Sequence, residues 1–380
     1  MICRYYEQQK CLSCQWITKP YAEQIDEKQQ TLSSQLSALK PKSILSPMTS
    51  PTVAFRNKAK MAVLGTVERP VLGIMTNGEA VDLCDCPLYS DNMRFTLYKI
   101  RKLIKKLQLV PYNIRRKKGE IKFVILTEAQ DQFMLRFVLR SDKDRPKITA
   151  ALSDIQASIP QITVISINIQ PQHAAILEGE QEYVLTKQQQ FPIELNHIPL
   201  FIEKGSFFQT NTFVAGQLYL TAKQWLATLS INLIWDLFCG VGGFGLHCIT
   251  PSRQLIGIEI NSEAIECAKQ SAAKIGYDKI RFQSLDASQF THLHVDDHPD
   301  LILVNPPRRG LGLTLVNDLQ HISPQFILYS SCNLETLVSD LHYLTDYQVN
   351  YAQLFDMFPH TPHMEVLVLL EKLNDKRSIL

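Results

Sequence analysis

The feature that most constrains this chain is the junction where Leu233 to Phe238 runs into Cys239-Gly240-Val241-Gly242-Gly243-Phe244-Gly245. An apolar run closed by glycines spaced G-x-G-x-x-G ends a buried parallel strand and starts a helix, with the backbone bared towards a ligand. The unit then repeats. Leu255 to Ile260 carries Glu259 at its end, and Ser262 to Ile275 is helical and closed by Gly276. Ile280 to Phe282 precedes Asp286, and Leu301 to Val304 runs into Asn305-Pro306-Pro307-Arg308. Phe326 to Tyr329 delivers Ser330-Ser331-Cys332-Asn333, and Val366 to Leu370 closes the series. Strand and helix in alternation predict an α/β fold, with a Rossmann-like doubly wound domain over residues 205–380.

The residues before it read differently. Cys3, Cys11 and Cys14 open the chain, and Cys84 and Cys86 follow in Leu83-Cys84-Asp85-Cys86-Pro87. Nine cysteines, clustered and odd in number, argue for metal binding or catalysis rather than a disulfide framework. Thiolate ligands without histidine suit zinc or an iron–sulfur cluster, and Pro87 directly after Cys86 favours the cluster. Residues 1–90 are expected to form a cysteine-cluster segment with a helix from Glu23 to Leu39, a Pro/Ser-rich connector from Pro41 to Pro51, and short strands around the Asn77-Gly78 turn. Phe55-Arg56-Asn57-Lys58-Ala59-Lys60 interleaves aromatic and cationic side chains, a pattern suited to bases and phosphates.

Residues 91–204 are expected to form an α+β RNA-binding module. Between Asp91 and Ala150 there are 16 Lys and Arg against 6 Asp and Glu, in a chain of net charge +2, which points to a polyanionic partner. The helix from Asn92 to Leu109 is amphipathic, and strands at Ile121 to Thr127 and Met134 to Leu139 place Arg136 and Arg140 on their polar face. No apolar run approaches the roughly 20 residues needed to cross a bilayer, and the N-terminus lacks a signal pattern. A cytoplasmic location without membrane contact is expected.

Glu259 after the glycine turn is placed to accept ribose hydroxyls, as it would for NAD or for S-adenosylmethionine. Asn305-Pro306-Pro307 after the fourth strand fixes a polar side chain beside the reacting centre and favours the methyl donor. Arg308 follows where an aromatic platform for an exocyclic amine would stand, so a carbon target is favoured. C5 of uracil becomes nucleophilic only when a thiolate adds to C6, and a base must then remove the C5 proton. Cys332 supplies the thiol, and Glu365, His360 and His363 are the candidate bases.

Six segments resemble one family, the S-adenosylmethionine-dependent RNA uracil-C5 methyltransferases. They are Ser206-Phe207-Phe208-Gln209-Thr210-Asn211, Asp236 to Gly245, Gly257-Ile258-Glu259, Asn305-Pro306-Pro307-Arg308, Ser330-Ser331-Cys332-Asn333 and His363-Met364-Glu365-Val366. The resemblance implies that Gln209, Phe238, Glu259 and Asn305 contact S-adenosyl-L-methionine, with Cys332 as nucleophile and Glu365 as base. Many members carry Asp where this chain has Asn305. The cysteines match the branch of the family that methylates uridine 747 of 23S rRNA. That match implies a 4Fe-4S cluster on Cys3, Cys11, Cys14 and Cys86, with Cys84 set aside. The cluster is expected to be structural because the chemistry needs no electron, the uridine is expected to be single-stranded or flipped out to expose C6 to Cys332, and no obligate protein partner is expected. The alternatives are another rRNA or tRNA uridine, a nicotinamide-dependent oxidoreductase, and a catalytically idle rRNA assembly factor.

Overall fold

The computed structural model describes residues 1–174, 176–206, 208–294 and 297–373, which form two compact units. The first unit is Met1–Cys14 with Thr52–Ile193, and the second is Gln15–Pro51 with Glu194–Leu380. The chain thus crosses between units three times. The division expected near residue 90 is corrected: strands on both sides of it share one sheet.

Ser43–Ile44 (β1) belongs to the second unit. The first unit holds Lys58–Gly65 (β2), Pro70–Thr76 (β3), Glu79–Asp82 (β4), Ile121–Ala129 (β5), Gln132–Leu139 (β6), Ile162–Ile169 (β7) and Gln181–Val184 (β8). They form one sheet in the order β4-β3-β2-β5-β6-β7-β8. Asn77 and Gly78 both take positive φ, +50° and +84°, the backbone that a two-residue hairpin turn requires. The helix Asp91–Lys106 starts at Ser90, whose Oγ accepts from Met93 N at 3.0 Å. Its buried face, Leu97, Ile100 and Ile104, joins the core that the sheet residues Leu126, Leu135 and Phe137 also line.

The expected cationic face is partly consumed inside this unit. Arg136 is buried and paired with Glu182 at 2.5 Å, and Arg140 pairs with Glu120 at 2.6 Å. Period-two alternation places a side chain on a face but does not say what packs over that face. The turn Arg115-Arg116-Lys117-Lys118 is exposed, and among the described residues none of its four cations makes an ion pair.

Phe191–Leu195 (β9) and Ile198–Ile202 (β10) pair as a hairpin. The second unit then adds Leu233–Leu237 (β11), Gln254–Glu259 (β12), Ile280–Ser284 (β13), Leu301–Val304 (β14), Phe326–Ser331 (β15), Tyr347–Phe355 (β16) and Glu365–Lys372 (β17). With β1 they form an eight-stranded sheet ordered β1-β16-β17-β15-β14-β11-β12-β13. β11, β12, β13, β14 and β15 run parallel to one another, while β17 lies antiparallel between β15 and β16. Every residue of β14 and β15 is buried, the continuous apolar run of a sheet covered on both faces. The expected Rossmann-like architecture is present. The order reverses between β11 and β14, and ligands of doubly wound sheets bind outside the strand ends at such a switch.

Two parts of this sheet differ from the expectation. β16 carries no strand in the sequence reading, and the supposed connector from Pro41 to Pro51 contributes β1, which pairs Ser43 with Tyr351 and Ile44 with Ala352. The helix expected from Glu23 to Leu39 is Tyr21–Leu36, extended by a 3-10 turn at Ser37–Leu39. Its Leu32 and Leu36 enter the core of the second unit with Leu337 and Leu354.

Candidate active site

The glycine turn lies at the end of β11. Phe238 holds φ +70° and Gly240 φ +54°, so the chain bends sharply where the strand stops. Positive φ in a non-glycine aromatic residue is strained and persists only where the surroundings impose it. Gly245 is small for a second reason: a Cβ there would lie 2.7 Å from Asp236 Oδ2. Gly245 N donates to that oxygen at 2.9 Å, while Asp236 Oδ1, also buried, has no protein partner. Burial raises the Asp236 carboxyl to about 8, and the charge of Glu259 adds to the effect.

A cleft of about 480 Å³, part of it open to solvent, lies over this turn. It is lined by Gln209, Phe238 and Asn305 of the expected cofactor set, with Tyr219, Phe244 and Val241. Asn211 caps the helix Thr212–Trp225 that carries Tyr219, accepting from Val214 N at 3.2 Å. Phe207 of the same motif lies outside the described residues. Glu259 is the last residue of β12, and its carboxylate accepts from Gly240 N at 3.2 Å and Asn261 N at 3.0 Å. The side chain is thereby tied to the glycine turn. A bent glycine backbone lining the cleft, a carboxylate tied to it through Gly240, and the amides of Gln209 and Asn305 in the lining suit a polar adenosyl ligand, so the residues present fit S-adenosylmethionine.

Cys332 and Glu365 lie at neighbouring strand ends. The β15–β17 register pairs Ser331 with Val366; Cys332 directly follows Ser331, Glu365 directly precedes Val366, and the charge of Glu365 acts on the Cys332 thiol. Glu365 is buried, and its Oε1 accepts from Ser330 Oγ at 2.5 Å. Burial raises its carboxyl to about 7, against the lowering effect of the Ser330 hydroxyl. The half-buried Cys332 thiol is raised by burial and by Glu365, while Arg308 pulls it back. Arg308 is held close by Asn333 Nδ2 and Thr336 Oγ1, which donate to its carbonyl at 2.9 and 3.3 Å. Asp340 braces the same loop, accepting from Leu311 N at 2.8 Å and from the Tyr329 hydroxyl at 2.7 Å.

The other two candidate bases stand apart in character. His360 is buried, and its backbone N–H and carbonyl are taken by Gln24 and Trp16. His363 is exposed, its imidazole pushed down by partial burial and by the charges of Arg308 and Lys28. Sequence reasoning missed Ser330, Tyr219 and Asp340. Ser330 has a readable signal, since residues on neighbouring strands that flank a buried acid must satisfy it; Tyr219 and Asp340 have none before the fold is known.

The N-terminal cysteines lie in the first unit. Among the described residues no group of three or more His, Cys, Asp or Glu side chains is gathered tightly enough to hold a metal ion as it stands. The thiols nevertheless sense one another. Cys14 is pushed up to about 12 by burial, with Cys86, Cys11 and Cys3 each contributing. Cys86 is pushed up to about 11 by burial, with Cys11 and Cys3 again contributing. Cys84 is fully buried and feels Asp82 instead, whose carboxylate accepts from its backbone N–H at 2.9 Å. Cys3 and Cys11 thus lie close enough to act on Cys14 and Cys86, the four residues are those of the expected ligand set, and soft thiolate donors suit an iron–sulfur cluster.

Comparison with known proteins agrees with this geometry. A family model described as tRNA (uracil-5-)-methyltransferase matches residues 20–373. The 23S rRNA (uracil(747)-C(5))-methyltransferase RlmC of Yersinia enterocolitica is 52% identical over 375 residues, 98% of this chain and 100% of that protein. The protein of the same name from Escherichia coli strain SMS-3-5 is 50% identical over 375 residues, with the same coverage. The crystal structure of Pyrococcus abyssi tRNA (uracil-54, C5)-methyltransferase, in complex with S-adenosyl-L-homocysteine, superposes with a TM-score of 0.76 at 23% identity. That likeness covers 94% of this chain and 86% of the other, and it establishes the fold. Together they set aside the nicotinamide reading of the glycine turn: this chain belongs to the tRNA (uracil-5-)-methyltransferase family.

Proposed function

We propose that this enzyme methylates C5 of one uridine in 23S rRNA, the equivalent of position 747, with S-adenosylmethionine as donor. The observation that carries the reading is the placement of Cys332 just after Ser331 and of Glu365 just before its partner Val366, close enough for the Glu365 charge to act on the thiol. Gln209, Phe238, Glu259 and Asn305 would hold the donor, which supplies the methyl group when bound. Asn305, a neutral amide at the end of β14, can still orient a donor without adding charge.

Cys332 Sγ adds to C6 of the uracil and leaves C5 nucleophilic. Arg308 favours the thiolate that this step needs. After methylation, Glu365 takes the C5 proton, the C5–C6 double bond re-forms and the thiolate leaves. A carboxyl raised by burial to about 7 is suited to that transfer, because its proton affinity is brought close to neutrality, so that it can both take a proton and give it up again. The base must be unstacked, since C6 cannot reach a thiol from within a helix. The exposed cations at Arg115 to Lys118 are suited to neighbouring phosphates.

RNA carrying 5-fluorouridine has no C5 proton to lose, so it should trap Cys332 as an adduct that survives denaturation. RNA binding without trapping would refute the mechanism. Cys332→Ala should abolish both trapping and turnover. Mapping 5-methyluridine in 23S rRNA with and without the protein identifies the target; a mark unchanged in 23S rRNA but lost from tRNA would move the substrate assignment.

Cys3, Cys11, Cys14 and Cys86 are proposed to hold a 4Fe-4S cluster with a structural role, because the chemistry above transfers no electron. Anaerobically purified protein should contain iron and sulfide. Cys86→Ala should lose them and Cys84→Ala should keep them; the reverse result would exchange the two ligands.

A further inference from the structure

Glu365 is reached through the loop from Asp356 to Met364, and residues 16–50 of the chain fasten that loop. Lys28, wholly buried on the helix Tyr21–Leu36, donates through Nζ to Asp356 Oδ1 at 2.6 Å and to Phe358 O at 3.2 Å. The Tyr21 hydroxyl donates to Asp356 Oδ2 at 2.7 Å and accepts from Ser50 N at 2.8 Å. Further along the loop, His360 N donates to Gln24 Oε1 at 2.9 Å, and His360 O accepts from Trp16 N at 2.9 Å. Asp356 N donates to Met48 O at 2.9 Å. His360 itself holds φ +64°, a backbone state that its surroundings must impose.

The register makes this fastening relevant to chemistry. Phe355 is the partner of Glu365 across β16 and β17, and Asp356 is the next residue. The pinned Asp356 thus directly follows the strand partner of the expected base, at the mouth of one hairpin. A buried ion pair is a poor way to gain stability, because apolar residues of equal volume do as well or better. What it does supply is direction, since both oxygens of Asp356 are committed to fixed donors.

We propose that Lys28 and Asp356, with Tyr21, are positioning residues for Glu365: they set where β17 begins and so aim its carboxylate at the C5 proton of the Cys332 adduct. This rests on the reading of Glu365 as base. Adduct formation needs Cys332 alone, whereas adduct resolution needs the base in place. Loss of the pair should therefore slow resolution selectively.

The test uses the full-length protein, uridine RNA and S-adenosylmethionine, measuring turnover, donor affinity, folded fraction and the steady-state level of covalent RNA–protein adduct. Lys28→Met combined with Asp356→Leu removes both charges together and avoids stranding either. Its turnover should fall about tenfold, the order expected for a sub-ångström misplacement. Donor affinity should stay unchanged and the adduct should accumulate. Wild-type turnover, or a fall that only tracks the folded fraction with no extra adduct, would overturn the proposal. Should the double variant fail to fold, Tyr21→Phe decides alone. It removes one hydroxyl and should lower turnover about threefold with visible adduct; wild-type behaviour would overturn the proposal equally. Glu365→Gln is the control. No adduct in that variant means the base assignment fails, whereas adduct there but not in the others means only the positioning role fails.

Discussion

Glu259 and Glu365 are two carboxylates on one sheet, and their surroundings separate them completely. Glu259 is partly exposed at the end of β12 and is gripped by two backbone N–H groups, Gly240 and Asn261. Glu365 is buried at the start of β17 and accepts a hydrogen bond from the Ser330 hydroxyl. The first arrangement fixes a charged group in space and suits holding a ligand. The second strips a carboxyl of water and raises its proton affinity towards neutrality, which suits taking and returning a proton. The chemical identity of a residue thus says little about its task; the number and kind of donors around it say more.

The comparison breaks first at Glu365. Glu365→Gln should lower turnover by about 10² to 10⁴, the usual contribution of a positioned base, with donor affinity unchanged by calorimetry. Equal losses in binding and turnover would erase the distinction. The same group also makes a stability prediction. Its folded value near 7 exceeds the ordinary 4.5, so the folded state binds more protons than the unfolded state between those values. The stability it contributes is present below 4.5 and is lost as pH rises through 7. Above that pH, Glu365→Gln should be more stable than the wild type by about 3 kcal/mol, read from urea midpoints at pH 5 and pH 8. A pH-independent difference would show that Glu365 is already ionised.

Glu259→Ala sharpens the other side. Loss of a carboxylate that accepts ligand hydroxyls should weaken donor binding by roughly 10- to 100-fold. Turnover should recover when donor saturates. The smallest effect belongs to Ser330→Ala. The hydroxyl lowers Glu365, so its removal should move the rising limb of the pH–rate profile to higher pH and reduce turnover at neutrality by a few fold. An unmoved profile would mean the serine has only a packing role.

Most of this site is legible in the sequence because its residues sit at strand ends, and strand ends are announced by apolar runs meeting glycine, proline or small polar residues. Cys332, Glu259 and Asn305 are all of that kind. What was not legible has physical reasons. β16 is interrupted by an irregularity between Val349 and Tyr351, which breaks the alternation that would have revealed it. β1 is two residues long and is a strand only because β16 lies beside it. Arg136 reads as a surface cation until Glu182 is folded over it. The choice between Cys84 and Cys86, two residues apart, depends on which thiol faces the other cysteines, a property of the fold.

The interleaving of the two units also has a consequence for how the protein is made. Lys28 emerges from the ribosome early, but the carboxylate that neutralises it follows 328 residues later. At roughly 5–20 residues per second the nascent helix waits tens of seconds with a cation on the face it will bury. β1 has no strand to join until Tyr351 is made. The loop that leads to the base therefore cannot be fastened until its last strands are made.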